Sequence, residues 1–465
     1  MQLGDILDDF TLDVATGGLE ITHVDIDSRD CVPGSLFFAM PGATTDGARF
    51  ASDAVGRGAL CVVASAPVQV AAPVVVVPST QLGALCAHAS AAVVGHPETK
   101  TRLVAVTGTN GKTSVTTIVA DLARALSWNG ASIGTLTNER TTPAAPELFR
   151  TLASLVEGFD PAQQHSVVAM EVSSHAMSQH RVDGLEFTVA AFTNLSHEHL
   201  DYHGTMEEYF VVKSRLFTSE HSQRAVIWDD DPYGERLALS TSLPVTRVSR
   251  GEATDVVTTL KGTTFFWRRH LVNSALLGDY NVDNALIAMT IMSVLGAEDA
   301  EVAAAMGEVS SISGRFDVVR GSDVTVIVDY AHTPEGLRRL LEDVRAMMPE
   351  GRVITVFGCG GDRDRAKRPE MGLVASTYSD VTVVTSDNPR SESPESIIDA
   401  IMSGVVSGAN VIRDVDRRSA MARALEEAAP GDVVVVAGKG HETTQTIGAL
   451  VVPFDDRVVA RELLR

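Results

Sequence analysis

Short apolar runs alternate with amphipathic stretches along the chain, and the alternation changes character twice. Up to about residue 97, strand-like runs ("GALCVVAS", "APVVVVPS") are separated by Gly, Pro and Asp turns and followed by an Ala-rich helical stretch. The polar, proline-containing "GHPETKTR" reads as a linker. In "RLVAVTGTNGKTSVTTIVADLARAL" an apolar strand enters a glycine loop and then a helix, with Val115, Ile118, Val119, Leu122 and Leu126 on one face. "HSVVAMEVSS" and "FTVAAFTNLS" are further strands with helices between them. After "SSISGRFDVV" the pattern becomes regular: "VTVIVDY", helix "PEGLRRLLEDVRAMM", "RVITVFG", a helix, "DVTVVTSD", a helix from "SPESIIDAIM", then "DVVVVAG". Strands alternating with amphipathic helices predict a parallel, doubly wound sheet. The fold class is therefore α/β in three domains: a small mixed α/β domain over 1–98, a central P-loop-type domain over 99–313, and a C-terminal doubly wound, Rossmann-like domain over 314–465.

Charge narrows the function classes. A formal net charge of -22 argues against a general nucleic-acid or anionic-membrane binder, so an anionic substrate must meet a local cation or a metal. The start "MQLGDILDDF" lacks the basic segment and apolar run of a secretory signal, and the apolar runs have strand length, short of a membrane span. Cys31, Cys61, Cys86 and Cys359 show no paired metal spacing and suit buried, reduced thiols. A cytoplasmic location is expected.

Four stretches carry candidate chemistry. The first is Gly108-Thr109-Asn110-Gly111-Lys112-Thr113-Ser114, a phosphate loop in which Val106 replaces the first glycine of the usual signature. Its backbone N–H groups and the positive end of the following helix would cradle phosphate oxygens; Lys112 would reach the terminal phosphates and the Thr113 hydroxyl a Mg2+ ion. The second is "FTNLSHEHLDYHG", with His197, His199, Asp201 and His203; spacing alone leaves open a zinc site, a loop beside a magnesium nucleotide, and an ordinary polar loop. In the third, "AMEVSSHAMSQHRVDG", Glu171 ends an apolar strand where ligand-facing residues gather in open α/β sheets, suiting either a Mg2+ ligand or a structural carboxylate. In the fourth, "VVTSDNPRSESPESI", Asp387-Asn388-Pro389-Arg390 forms a loop at a strand's carboxyl end, with Ser393 and Pro394 as cap and first residue of the next helix. Arg390 there is placed to clamp a carboxylate.

Together, "TGTNGKTS", "EVSSH", "FTNLSHEHLDYHG", "GDYNVDN", "SGRF", "DYAHTPEGL", "GCGGDRDRAKRP", "DNPR" and "GKGHE", in this order over nearly the whole chain, resemble the Mur ligases, the ATP-dependent amino-acid-adding enzymes of peptidoglycan synthesis. "DNPR", "GKGHE" and an early "DSR" resemble the form that adds meso-diaminopimelate to UDP-MurNAc-L-Ala-D-Glu. The resemblance implies a UDP-binding first domain, an ATP-binding second and an amino-acid-binding third. It implies that Lys112, Glu171, His199 and Lys213 are catalytic, with Thr113 and Glu171 on one Mg2+ and His199 at a second. Lys213 matches a lysine that carries a carbamate (N6-carboxylysine) in the family, whose negative charge would hold the second Mg2+; on residues alone it reads as a surface lysine on a helix. Asn281, Arg315 and Asp329 match ATP contacts alongside the loop. Ser28 and Arg29 match the uridine region; Thr141, Thr142, Ser173, Gln179 and Arg181 match contacts to the muramoyl dipeptide; Asp387, Asn388, Arg390, Gly438 and Glu442 match the diaminopimelate pocket. Two departures stand out: Arg140 in "ERTTPAA", where a related ligase often has asparagine, and Asp279 in "GDYN", where a cation is frequent. The implied partners are small-molecule substrates, with no nucleic acid, no membrane span and a monomeric chain. A Mur-type ligase for L-lysine or another amino acid, and a P-loop kinase or NTPase with another acceptor, are the alternatives.

Overall fold

The computed structural model describes residues 1–8, 10, 12–42, 45–138, 140–321 and 324–464, with residue 201 described by its backbone alone. Two compact units result: Met1–Leu195 with Glu207–Val248 and Thr290–Gly296, and Ser196–Met206 with Ser249–Met289 and Ala297–Arg465.

The first unit holds two parallel sheets. Strands β1 (His23–Asp25), β2 (Ser35–Phe38), β3 (Ala59–Ala64) and β4 (Val74–Val76) lie in chain order. The Ala-rich stretch forms helix Ser79–Val93, and its Leu82, Cys86 and Ala89 pack on Leu36, Phe38 and Val63. The second sheet contains β5 (Arg102–Thr107), β6 (Asn129–Ile133), β7 (Ser166–Glu171), β8 (Val189–Phe192), β9 (Ala225–Trp228) and β10 (Val245–Val248), in the order β10-β9-β8-β5-β7-β6. The chain leaves β5 toward β6 on one side, while β9 and β10 lie on the other beyond β8. The mouth between β5 and β8 is therefore the topological switch point, where ligands bind in open α/β sheets. The near-continuous apolar runs of β5, β7 and β8 follow from burial on both faces. The two sheets are tied within the unit, since Arg150 Nη1 donates to Val24 O at 3.1 Å and Asp25 Oδ1 at 3.3 Å.

In the second unit β11 (Ala253–Thr259), β12 (Gly262–Trp267) and β13 (His270–Ser274) form an antiparallel meander that the sequence pattern does not announce. A six-stranded sheet has the order β14-β15-β19-β16-β17-β18: β14 (Asp317–Arg320) antiparallel, and β15 (Thr325–Asp329), β16 (Val353–Phe357), β17 (Val381–Val384), β18 (Val411–Arg413) and β19 (Val433–Ala437) parallel. Leu337, Met371 and Ile397, from helices Pro334–Met347, Lys367–Tyr378 and Pro394–Met402, share one core with Ile327, Val353 and Val435. Met421 and Val459, from helices Arg417–Glu427 and Asp456–Leu463, share the other with Val326, Ile354 and Val434. Successive residues of each strand face opposite cores, so the sheet is doubly wound as expected. Strand β18 and helix Arg417–Glu427 add to the expected pattern. Ser393 occupies the cap position before Pro394, but its side chain makes no capping bond. Hairpin β20 (Thr444–Ile447) and β21 (Leu450–Pro453) completes the unit. Among the described residues, no helix is long and apolar enough to cross a membrane, and all four cysteines are free and buried.

Candidate active site

The phosphate loop leaves β5 at the switch point and runs into helix Lys112–Ala125, whose Val115, Ile118, Val119 and Leu122 are buried as its periodicity requires. Gly108 has φ 146°, and a Cβ there would lie 2.0 Å from Thr193 Oγ1, so only glycine fits. Gly111, at φ 87°, opens the helix. The residues after β8 hold the loop. Thr109 N donates to Asn194 O (2.9 Å), Asn110 N to Asn194 Oδ1 (3.0 Å), and Thr193 Oγ1 to Asn110 O (2.6 Å). Val106 lies inside β5, paired with Glu171 and Ala191, so the missing glycine is a strand residue here. Lys112 Nζ donates to Gly108 O (2.9 Å) and Thr109 O (2.7 Å).

Glu171, the last residue of β7, is buried beside the helix start. Its Oε1 accepts from Thr113 Oγ1 (3.0 Å) and Thr135 N (2.8 Å). Gly134 leaves room for that carboxylate. Thr142 Oγ1 donates to Glu171 O (2.8 Å), and Ser173 N donates to Thr142 Oγ1 (3.1 Å). Arg181 donates through Nη1 to Thr142 O (2.7 Å) and through Nη2 to Gln179 Oε1 (2.6 Å). Thr141 Oγ1 accepts from Thr135 Oγ1 at 3.2 Å. Thr141, Thr142, Ser173, Gln179 and Arg181, expected at the dipeptide, thus form one network with the Glu171 carboxylate and backbone. Ser28 and Arg29 lie in the turn after β1. Arg29 is 81% exposed and donates through Nε to Asp27 Oδ1 at 2.9 Å, which holds the Asp27 carboxyl down at about 2. Arg140 is exposed and adds to the positive potential at Asp27; its neighbour Glu139 lies outside the described residues.

Lys213 overturns the reading of a surface lysine: only 1% of it is exposed. Helix Met206–Ser214 turns Tyr209, Phe210 and Lys213 inward, and Lys213 Nζ donates to Gly108 O (2.9 Å) and Thr107 Oγ1 (3.3 Å) while lying 4.8 Å from the centre of the Tyr209 ring. Lys112 and Lys213 therefore converge on one carbonyl oxygen. The sequence signal was the spacing Tyr209 to Lys213, one helical turn on one face.

In the second unit the loops after β16, β17 and β19 emerge at the carboxyl ends of parallel strands. Asn388 Nδ2 donates to Glu442 Oε2 (2.7 Å), and Lys439 Nζ, fully buried, donates to the same oxygen (3.0 Å) and to Thr444 O (2.7 Å). Gly438 has φ 112°, and a Cβ there would lie 2.8 Å from Asp387 Oδ2. Arg390 holds a left-handed backbone, φ 51°, because strand β20 pairs with the loop: Arg390 N donates to Thr446 O (3.1 Å) and Gly448 N to Arg390 O (2.7 Å). Its Nη1 donates to Gly361 O at 2.7 Å. Burial pushes the Asp387 carboxyl above the ordinary range, opposed by the nearby cations Arg417 and Lys439. Sequence reasoning missed Lys439, Gln445, Arg417 and Asp456; Gln445 meets Asp387 O across 58 residues, and Arg417 and Asp456 meet across 39.

Of the proposed nucleotide contacts, Asp329 ends β15 and accepts from Tyr280 Oη (2.8 Å), Phe316 N (2.7 Å) and Ala331 N (2.7 Å). Burial raises its carboxyl above the ordinary value, against the pull of Arg315. The Arg315 guanidinium stacks 4.4 Å over the Tyr330 ring. Asn281 is buried, donating to Leu277 O (2.7 Å) and accepting from Asn284 Nδ2 (3.1 Å). Asp279 pairs with Arg250 at 2.9 Å, so this departure from the family pattern has its own cation. In the histidine loop, His199 has φ 58° and starts the short helix Leu200–His203, and Glu198 meets His332 Nε2 at 3.1 Å. The Asp201 side chain lies outside the described residues. Among the described residues, no group of three or more His, Cys, Asp or Glu side chains is placed to hold a metal ion.

A phosphate loop at a switch point, with a buried carboxylate against its threonine and a doubly wound unit elsewhere in the chain, defines an α/β nucleotide-dependent enzyme. Three family models match along the chain: Mur ligase family, catalytic domain (residues 20–112); Mur ligase middle domain (106–292); and Mur ligase, glutamate ligase domain (314–440). The chain belongs to the Mur ligase family, whose members are ATP-dependent, ADP-forming ligases of three-domain architecture. It is 43% identical over 469 residues to the UDP-N-acetylmuramoyl-L-alanyl-D-glutamate--2,6-diaminopimelate ligase of Gloeobacter violaceus, covering 96% of this chain and 94% of that one. The ligase of the same name from Geobacillus thermodenitrificans is 42% identical over 477 residues, covering 97% and 96%. A solved structure of a ligase of that name matches with a TM-score of 0.69 at 30% identity, covering 100% of this chain and 98% of that chain. The MurF ligase from Thermotoga maritima in complex with ADP, at 17% identity and a TM-score of 0.66 over 96% of each chain, shares the fold.

Proposed function

We propose that this chain joins meso-diaminopimelate to the D-glutamyl carboxylate of UDP-MurNAc-L-Ala-D-Glu at the expense of ATP. The observation that carries the reading is the arrangement at the carboxyl ends of β17 and β19, where a left-handed Arg390 shares a loop with Asn388 of the Asn388–Glu442–Lys439 network. Names borne by relatives over nearly full length support it. The domain limits 1–98, 99–313 and 314–465 are part of this proposal, as are a monomeric state and a cytoplasmic location.

A carboxylate does not react with an amine at neutral pH because its oxygen is a poor leaving group. Transfer of the γ-phosphoryl group from ATP gives an acyl phosphate. The amine attacks its carbonyl carbon, phosphate departs, and a proton leaves the new amide nitrogen. The first step brings two anions together, so fixed positive charge at the phosphate loop is the catalytic need. Lys112 and the loop N–H groups supply it. Magnesium adds charge against the phosphate oxygens when bound. Thr113 and Glu171 suit that ion: their oxygens are hard donors, buried and 3.0 Å apart. His199 is a further proposed magnesium ligand, and Asn281, Arg315 and Asp329 are proposed nucleotide contacts.

For Lys213 we propose carbamylation. Lys112 and Lys213 each lie 2.9 Å from Gly108 O, so their nitrogens are at most 5.8 Å apart. Two ammonium groups at that distance repel by about 3 kcal/mol at an effective dielectric of about 20. The neutral amine can add CO2, releasing one proton, and becomes an anion; its remaining N–H can still donate to Gly108 O.

Ser28 and Arg29 are proposed for the uridine end, and Thr141, Thr142, Ser173, Gln179 and Arg181 for the dipeptide. Arg390 would pair with the carboxylate that diaminopimelate has and L-lysine lacks, leaving a cation unpaired when lysine binds. Phosphate release with each amino acid in turn tests the reading: release must need both UDP-MurNAc-dipeptide and diaminopimelate. Release from ATP alone, or equal release with L-lysine, would refute it.

A further inference from the structure

The strands that carry the amino-acid pocket are not neighbours. Strand β16 lies between β17 and β19, so their carboxyl ends, Ser386–Asp387 and Ala437–Gly438, are not paired to each other by a ladder; farther along, Arg390 pairs with the β20 segment and Asn388 Nδ2 donates to Glu442 Oε2. A side chain joins those two ends. Arg417 begins helix Arg417–Glu427 and is wholly buried; its Nη1 donates to Ser386 O (3.2 Å) and its Nη2 to Ala437 O (3.0 Å). Ser386 directly precedes Asp387, and Ala437 directly precedes Gly438. Asp456, equally buried, grips the guanidinium, accepting from Nε at 2.8 Å and Nη2 at 2.7 Å. Both partners are fixed by their helix starts, where Asp416 accepts from Ser419 N and Asp455 from Arg457 N. A rigid fork of five donors reaches acceptors on three elements at once, which a single ammonium does not reproduce. The far side of the Asp387–Arg390 loop is held separately, by Gln445 Nε2 on Asp387 O (2.6 Å) and Thr446 N on Asn388 Oδ1 (2.9 Å). Loosening the arginine would therefore displace the loop without releasing it.

We propose that Arg417, locked by Asp456, is a positioning residue for the amino-acid pocket: it fixes the separation between the Asp387–Arg390 loop and the Gly438–Glu442 segment and so sets affinity for the incoming amino acid. The inference rests on the ligase reading above. Its test uses the full chain with Arg417→Lys, Arg417→Met and Asp456→Asn, each checked by circular dichroism and thermal melting. ATP, UDP-MurNAc-dipeptide and diaminopimelate are then varied separately. The KM for diaminopimelate should rise about tenfold to a hundredfold, the scale of a misplacement of about 1 Å. The other two KM values should stay within about twofold, since uniform damage would move all three. Arg417→Lys, which keeps the charge, should retain more than Arg417→Met. An unchanged diaminopimelate KM in folded Arg417→Lys and Asp456→Asn, or an equal rise in all three KM values, overturns the proposal. So does failure of all three variants to fold, which would make the pair a requirement of the fold alone. A wild-type protein that releases no phosphate with diaminopimelate refutes the ligase reading instead.

Discussion

Replacing Gly134 by alanine should damage catalysis without touching a residue that meets substrate. Gly134 follows β6, and the last ladder pair is Ile133 with Met170, so Gly134 stands across from Glu171. A Cβ at 134 would lie 2.3 Å from Glu171 Oε1 and 2.8 Å from its Cδ and Cγ, where contacts under 3.0 Å essentially never occur. Restoring 3.0 Å moves the oxygen by 0.7 Å. That oxygen accepts from Thr113 Oγ1 at 3.0 Å, so the same shift directed away from the threonine stretches the pair to 3.7 Å, beyond hydrogen-bonding range. Misplacement of about 1 Å costs about a hundredfold in rate, so Gly134→Ala should lower kcat by about ten- to a hundredfold, or about 1.4 to 2.7 kcal/mol. The magnesium concentration for half-maximal rate should rise with it, because Thr113 and Glu171 no longer meet. The assay is diaminopimelate-dependent phosphate release across a magnesium titration, with thermal melting to confirm the fold. A folded Gly134→Ala protein with wild-type kcat and magnesium dependence would refute the reasoning.

Arg390→Ala should abolish diaminopimelate incorporation while nucleotide binding, followed by calorimetry, persists; both backbone bonds to β20 remain, and unchanged diaminopimelate kinetics would remove Arg390 from the pocket. Lys213→Ala should lose activity that added short carboxylates partly restore, and full activity in the untreated variant would remove Lys213 from the site. Glu392 is held down at about 2, chiefly by hydrogen bonds from Arg368, against an ordinary value of 4.5. A lowered carboxyl stabilises the fold above its unfolded value, and that stability is lost as pH falls through the folded value. Melting temperature should therefore drop between pH 4.5 and 2 more steeply in wild type than in Glu392→Gln; parallel profiles would contradict the assignment.

What was legible in the sequence is what local chemistry writes. The run from β5 into Gly108 and Lys112 shows itself because a buried parallel strand must be apolar, and because Gly108 and Gly111 need a backbone that side chains refuse. Alternation beyond residue 314 gave the doubly wound sheet for the same reason. Resemblance named Lys213 and the pocket residues; the structure then supplied their surroundings. What stayed hidden was set by distant partners. "DVDRRSAMARALEE" carries seven charged residues and no sign of a core arginine, yet Arg417 is wholly buried, because its partner Asp456 comes 39 residues later. Gly134 is an unremarked residue until β7 places Glu171 across from it.

Burial of cations also explains how so acidic a chain can serve anionic substrates. Its net charge of -22 acts at long range, where ions screen it within about 8–10 Å. Lys112, Lys213, Lys439 and Arg417 act at contact distance, and the last three are almost entirely enclosed. An enclosed cation polarises its neighbours strongly, but it must be matched to its acceptors or it is costly. In the second unit the matching is complete in protein groups: Lys439 has Glu442 and Thr444 O, and Arg417 has Asp456 and two carbonyls. At the phosphate loop Lys112 and Lys213 donate to one carbonyl, so two side chains able to carry positive charge converge beside the loop. That convergence is local and acts at contact range, so the acidity of the chain as a whole does not prevent an anionic phosphate from meeting positive charge at the loop.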